Sequence, residues 1–415
     1  MVAKRVSPSV QEPLVIGSNI NPTWHRHLSD MARALPAETF VFVDSAADFP
    51  PANGGVITLV DNVTYFVTKT VDLQGSRLVG GQNTTILGGS SENCRIKSTG
   101  LTGAALITSE WSLPMRGLTI EADIALNLDA SANANQALDW FGVNFTDCGA
   151  VGTIKGYNNF IMTDSALLNS QGMTFDGTIG TVGFSQCLFD CSDAGTAIIL
   201  PATATITRRL RIIYSSFVVL SGETGLNIST SATIPVEGYI LDSCNFSGGG
   251  TYTTGVLFSD NKARWDNNRG IQNSAAIGFM YMQNNATATT VASAGVAYKA
   301  AGTTTNDSIT QKFTHTANRL TYTGALTRDF RVLVDATVTS GANNEIGLYV
   351  AKNGTVITNS EQYITANAAG RAEGGSCQTV VSMATNDYIE LFVENDTAAT
   401  NITVEFLSMI AEAIN

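Results

Sequence analysis

The stretches FTDCGAVG, MTDSALLN, FSQCLFDC and LDSCNFSG all lie between Phe145 and Gly248, and each runs from an apolar residue through two polar positions to a Cys or Ser. Aligned on that small residue, the phrase recurs at Cys148, Ser165, Cys187, Ser216 and Cys244, at spacings of 17, 22, 29 and 28 residues. Spacings of one coil each are the mark of stacked repeats, because one coil cannot bury its apolar positions alone whereas a stack lines a continuous core. On this reading small Cys and Ser side chains occupy an inward corner, and Phe145, Met162, Phe184, Tyr214 and Leu241 form the apolar column beside it. The unequal spacings place insertions in lateral loops.

Composition agrees with an all-β chain. Only 14% of the 415 residues are charged against 44% hydrophobic, with 38 Gly and 9 Pro, which suits a surface of Thr, Ser and Asn on strands rather than Lys- and Glu-studded helices. The net charge of −12 argues against nucleic acid as a partner, since phosphate binding needs clustered Lys and Arg. The two tightest basic groups, RRLR (Arg208, Arg209, Arg211) and KARWDNNR (Lys262, Arg264, Arg269), read as solvated turns or subunit salt bridges rather than an anion site. Six cysteines and three histidines show no metal-knuckle spacing, and no loop has phosphate-cradle chemistry, so neither a metal nor a cofactor is expected. The opening MVAKRVSPSVQEP lacks the features of a signal peptide, and no apolar run approaches the roughly 18 residues of a membrane span, so reduced cysteines and no membrane insertion are expected.

Along the chain the texture changes three times. In residues 1–48, NPTWHRHLSDMARALP predicts a short helix capped by Thr23 and ended by Pro36, with Trp24, Leu28, Met31 and Leu35 on one face. It is either an anchor to a larger assembly or a cap over the next domain. From 49 to 285, runs of four to six Val, Ile, Leu, Tyr and Phe broken by Gly and Asn predict many short strands with tight corners. Residues 286–300 read as an Ala-, Thr- and Gly-rich linker, and 301–415 as longer alternating antiparallel strands, with a tight turn at Lys352-Asn353-Gly354-Thr355.

This order of parts resembles bacteriophage tail spikes, tail fibres and related virion appendages. GGVITLVDNVTYFVTKTVDLQGSRLVGG resembles the opening of many phage β-helix proteins, and RWDNNRGIQNS resembles their closing segment. RLTYTG, NNEIGLYVAKNGTVI and NDYIELFVEN resemble the trimeric jelly roll of tumour necrosis factor and complement-type heads. The resemblance implies an all-β fold: a right-handed parallel β-helix shaft followed by an antiparallel jelly-roll sandwich, behind a short, partly helical virion anchor. It also implies a homotrimer, made in the host cytoplasm, that joins other virion proteins on the tail or a head vertex through its N-terminus. A host-surface glycan or protein would be met by the C-terminal head, whose loops TSGANNE and NAAGRAEGGS are long and polar.

Some tail spikes cleave the host's sugar coat with paired carboxylates on the β-helix. The best local pair is Asp190 and Asp193 in FDCSDAG, with Asp147, Asp164, Asp176 and Asp242 as neighbours on adjacent coils. The competing expectation is that these aspartates cap turns by accepting backbone N–H groups. Trp140 and Trp265 are the candidates to stack on a sugar, against half-buried packing. Attachment without catalysis is therefore the leading expectation, with a polysaccharide-degrading spike and a head-mounted fibre or decoration protein as alternatives.

Overall fold

A computed structural model describes residues 40–191 and 195–414, together with the antiparallel pair Val15–Ile16 and Asn19–Ile20. The expected N-terminal helix, with Trp24, Leu28, Met31 and Leu35, lies outside the described residues. The chain divides into two compact units, 1–273 and 274–415.

The first unit is a parallel β-solenoid of about nine turns. One face is a nine-stranded parallel sheet running from Val56–Thr58 to Thr251–Gly255. The remaining faces belong to a sixteen-stranded sheet in which long strands serve two ranks. Ala137–Thr146 is one such strand: its first half pairs with Asn159–Thr163 and its second with Ala166–Leu168. Because coils stack in register about 4.8 Å apart, like residues form columns. Ile86, Met115, Trp140, Met162, Phe184, Ile212, Leu241 and Trp265 make one. Ile96, Ile120, Phe145, Leu167, Phe189, Phe217 and Phe246 make a second. In the latter the Phe189–Phe217 and Phe217–Phe246 rings lie parallel, with centroids 4.4 and 4.6 Å apart.

The repeated phrase marks corners at which the chain turns through the left-handed region. Asp147, Asp164, Gln186 and Ser243 have φ between 51° and 55°, and the small residue follows each directly. At one corner Ser165, Cys187, Ser215, Cys244 and Asn268 form the ladder. Val143 N–H donates to Ser165 Oγ, Cys187 N–H to Ser215 Oγ and Cys244 N–H to Asn268 Oδ1, at 3.0, 3.1 and 2.9 Å. Cys187 Sγ donates to Met162 O, and Cys244 Sγ to Ile212 O, each at 3.4 Å. Two of the expected placements shift. Cys148 sits at the next corner, where its N–H donates to Ser170 Oγ, and Phe145 accordingly lies in the second column. Ser215 and Ile212 replace Ser216 and Tyr214, because they keep the three-residue offset of the other copies, whereas Tyr214 is the left-handed corner residue and is 63% exposed.

The second unit holds two antiparallel sheets over one core. The six-stranded sheet runs Thr305–Asn306, Ile277–Met282, Ile402–Ala413, Arg328–Thr339, Glu373–Met383, with Ala288–Thr289 added to Ile402–Ala413. The seven-stranded sheet runs Phe313–His315, Leu320–Tyr322, Tyr388–Asn395, Asn344–Lys352, Thr355–Val356, with Ala297–Lys299 and Gln362–Ala366 joined to it. Between them lie Phe330, Val332, Val334, Ile346, Leu348, Ile389, Leu391 and Met409. Asn353 and Gly354, with φ of 52° and 79°, close a two-residue hairpin between Lys352 and Thr355.

The unit boundary falls earlier than residue 285. Ile277–Met282, placed by its sequence in the shaft, pairs antiparallel along its whole length with Ile402–Ala413 and buries Met280 and Met282 in the second core. Residues 286–300 are likewise built into the sandwich rather than linking to it, because Ala288–Thr289 and Ala297–Lys299 each complete a sheet edge. Six consecutive residues paired to a strand more than 100 positions away leave no local mark of that partner.

Candidate functional site

Asp190 ends the strand Leu188–Asp190 and stands in register between Leu168 and Val218, with no carboxylate in either flanking position. Asp193 lies outside the described residues. Three of the neighbouring aspartates are engaged by side chains of their own or the adjacent coil. Asp147 accepts from Asn169 Nδ2 at 2.7 Å, and Asp242 from Ser243 Oγ at 2.9 Å. Asp176 accepts from Thr203 Oγ1 at 2.5 Å and Gly177 N–H at 2.7 Å, and these bonds, the hydroxyl foremost, hold its carboxyl below the ordinary range. A glycosidase general acid needs the opposite shift.

Both candidate stacking rings are interior. Trp140 is fully buried in the first column, between Met115 and Met162, and its Nε1 donates to Leu113 O at 2.9 Å. Trp265 is 1% exposed and meets Tyr239 edge-on with ring centroids 5.4 Å apart. Neither presents a face to a sugar, because the column position that stacks them coil upon coil points inward.

Two surfaces absent from the sequence reading have the shape of binding sites. The first is a groove of about 830 Å³ on the nine-stranded sheet. Thr108, Asn127, Thr153 and Thr174 form one row across it, coil by coil. Gly149, Gly152, Gly172 and Gly195 form part of its lining. At Gly152, φ is +110° and a Cβ would fall 1.9 Å from Leu126 O, so no other residue fits there. Arg77 is the sole charged side chain among the described lining residues. Apart from Arg77, the described lining offers neutral hydrogen bonds.

The second is the outer face of the six-stranded sheet, hollowed by a cavity of about 710 Å³. Phe279 and Tyr281 stack there at 5.9 Å, and Leu333, Phe406 and Val380 are 38%, 42% and 58% exposed on the same sheet. Tyr281, Ser408, Asp335 and Ser376 cross it as one register row. The signal was present in IGFMYM: alternate residues point to opposite faces, yet both sets are largely apolar, so the strand has a second face to cover.

Among the described residues no cluster of three or more His, Cys, Asp or Glu is placed to hold a metal, and no helix is long and apolar enough to cross a membrane. No protein-family model matches the chain, and no curated protein matches it. Among solved structures it is similar to PRD1 vertex protein P5, at 15% identity over 34% of this chain and 97% of that one, with a TM-score of 0.23. It is also similar to murine APRIL, at 8% identity over 33% and 98%, with a TM-score of 0.22. A third similarity is to the enzymatically active domain of bacteriophage CBA120 tailspike protein 4, at 9% identity over 88% and 69%, with a TM-score of 0.25.

Proposed function

We propose that this chain is a structural protein of a bacteriophage virion, a homotrimeric tail fibre or tail spike that attaches the particle to its host. The observation that carries the reading is the order of two architectures in one chain: a parallel solenoid, then an antiparallel two-sheet unit with an uncovered aromatic sheet face. A solenoid grips no partner by its core alone, and an apolar face of this kind requires one. Three copies joined through that face satisfy it by cyclic symmetry and present three sets of loops, so weak single contacts add by avidity. Residues 1–48, including Trp24, Leu28, Met31 and Leu35, are assigned to the virion side, and the loops of the second unit to the host side.

Attachment proceeds without cleavage of the polysaccharide on this reading. Its support is the solenoid groove, whose described lining carries Arg77 and no carboxylate, and the hydrogen bonds that engage Asp147, Asp176 and Asp242 with neighbouring side chains. The test is electron microscopy of particles labelled with antibody against residues 274–415, combined with host adsorption by the purified protein. Label on the tail and saturable adsorption are expected. Label at a capsid vertex would establish the head-fibre alternative instead. Reducing sugar released from host envelope, and abolished by Asp190→Asn or Asp193→Asn, would establish the enzyme.

A further inference from the structure

RRLR does not form a turn. It lies within the strand Thr205–Ile213, on the outer face of the sixteen-stranded sheet, at a place where the register against Thr178–Ser185 slips between Ile179 and Thr181. The slip is a β-bulge, and it brings Thr207, Arg208 and Arg209 to the surface in succession before alternation resumes with Leu210 inside and Arg211 outside. Arg208 is spent on structure. Its Nε donates to Thr181 Oγ1 at 3.1 Å, and its Nη2 donates to Asn159 Oδ1 at 2.6 Å, to Asn158 Oδ1 at 3.1 Å and to Asn158 O.

Arg209 and Arg211 have no such partners. The other arginines on strands of this sheet are ion-paired: Arg95 with Glu121, Arg116 with Asp139 and Arg264 with Asp266. Arg209 and Arg211 make no ion pair or side-chain hydrogen bond among the described residues. They flank a notch of about 100 Å³ on the next coil, where Gly183 stands opposite Arg211. Ile161, Thr181, Ser185 and Ile213 complete its wall, and no carboxylate lines it. A Cβ at residue 183 would meet Ile161 Cδ1 at 2.7 Å, so the glycine keeps the notch open. Two residues along a strand place the guanidinium stems about 7 Å apart on one face, a span that one oxyanion bridges with a planar donor fork from each side.

We infer that Arg209 and Arg211 form an oxyanion site for the carboxylate or phosphate groups of an acidic glycan, with Ile161 and Ile213 against its apolar ring edges. The nature of the ligand's source rests on the attachment reading above. The charge balance favours an external polymer: on a chain of net charge −12, two uncompensated arginines in a carboxylate-free notch are a local inversion of the surface field.

The test uses the full chain, by titration calorimetry at low and high salt, with a glucuronate oligosaccharide, a glycerol-phosphate polymer, inorganic phosphate and neutral dextran as probes. At least one acidic polymer is expected to bind, more weakly at high salt. Arg209→Gln/Arg211→Gln is expected to weaken it tenfold or more at unchanged melting temperature and oligomeric mass, and Gly183→Val, which fills the notch, to do the same. Dextran is expected not to bind. Equal affinity in the double variant overturns the inference, as does binding of inorganic phosphate with neither polymer. Loss of oligomeric mass in the double variant also overturns it, in favour of a contact between copies. If wild type and double variant adsorb to host cells alike, the arginine site falls while attachment stands; if neither adsorbs, the attachment reading itself fails.

Discussion

At the scale of single residues, the corner ladder explains why Cys and Ser exchange freely in the repeated phrase. Both are small and both donate to the carbonyl two residues earlier: Ser165 Oγ to Thr163 O, Ser215 Oγ to Ile213 O, Cys187 Sγ to Ser185 O and Cys244 Sγ to Asp242 O. Cys187→Ser is therefore expected to cost less than about 1 kcal/mol, and Cys187→Leu about 1 to 3 kcal/mol through overpacking, read as shifts of the urea midpoint. Burial pushes the Cys148, Cys187 and Cys244 thiols up to about 11, 12 and 11 from an ordinary 9.0. A folded-state pKa above the unfolded one means the unfolded chain loses its proton first as pH rises. The thiols' contribution is thus intact below about pH 9 and lost between there and about pH 12. Native protein at pH 8 is expected to resist alkylation while denatured protein labels at all six cysteines, and the melting temperature is expected to fall above pH 9. Rapid native labelling of Cys187 would contradict its corner position. Trp140→Ala is expected to cost about 3 to 5 kcal/mol with no selective effect on glycan binding, since the ring belongs to the core.

At the scale of elements, the strand Ile277–Met282 decides where the second unit can be cut. It covers Ile402–Ala413 across six register pairs and delivers Met280 and Met282, 0% and 2% exposed, to the core. A chain of residues 274–415 is expected to unfold cooperatively, whereas one of residues 291–415 exposes an unpaired edge and two methionine-sized voids and is expected to aggregate or melt at least 10 °C lower. Equal melting temperatures in circular dichroism would show that strand to be dispensable. Gly152→Val is a second probe at this scale. With Leu126 O in the way of any Cβ, it is expected to disrupt local coil stacking and lower the first unit's melting temperature.

At the scale of the whole molecule, the proposed trimer is testable through the uncovered sheet face assigned to it. Light scattering is expected to give three times the 43.8 kDa chain mass. Phe406→Asp and Tyr281→Asp each replace an aromatic ring with a second carboxylate in the hollow that already holds Asp335, and desolvating it on assembly is expected to weaken association at least tenfold without lowering the stability of the isolated unit. A wild-type monomer at micromolar concentration would refute the trimer. A trimer undisturbed by both substitutions would move the interface to another face.

The all-β class, the solenoid and the antiparallel C-terminal sheets were legible in the sequence, because short apolar runs, left-handed corner residues and an Asn-Gly hairpin are local signals set by backbone sterics. The corner phrase located most of one ladder for the same reason. Other assignments belonged to the tertiary structure alone. Cys148 and Ser165 look alike in sequence but turn different corners, since a long strand serving two ranks cannot be told from two short ones until its neighbours are placed. Trp140 and Trp265 looked able to stack on a ligand, and only the coil register points them inward. Ile277–Met282 looked like one more coil, and only its distant partner makes it a sandwich strand. The arginine notch arises from a one-residue slip between neighbouring coils. Register between strands is a property of the stack, and no single strand carries it.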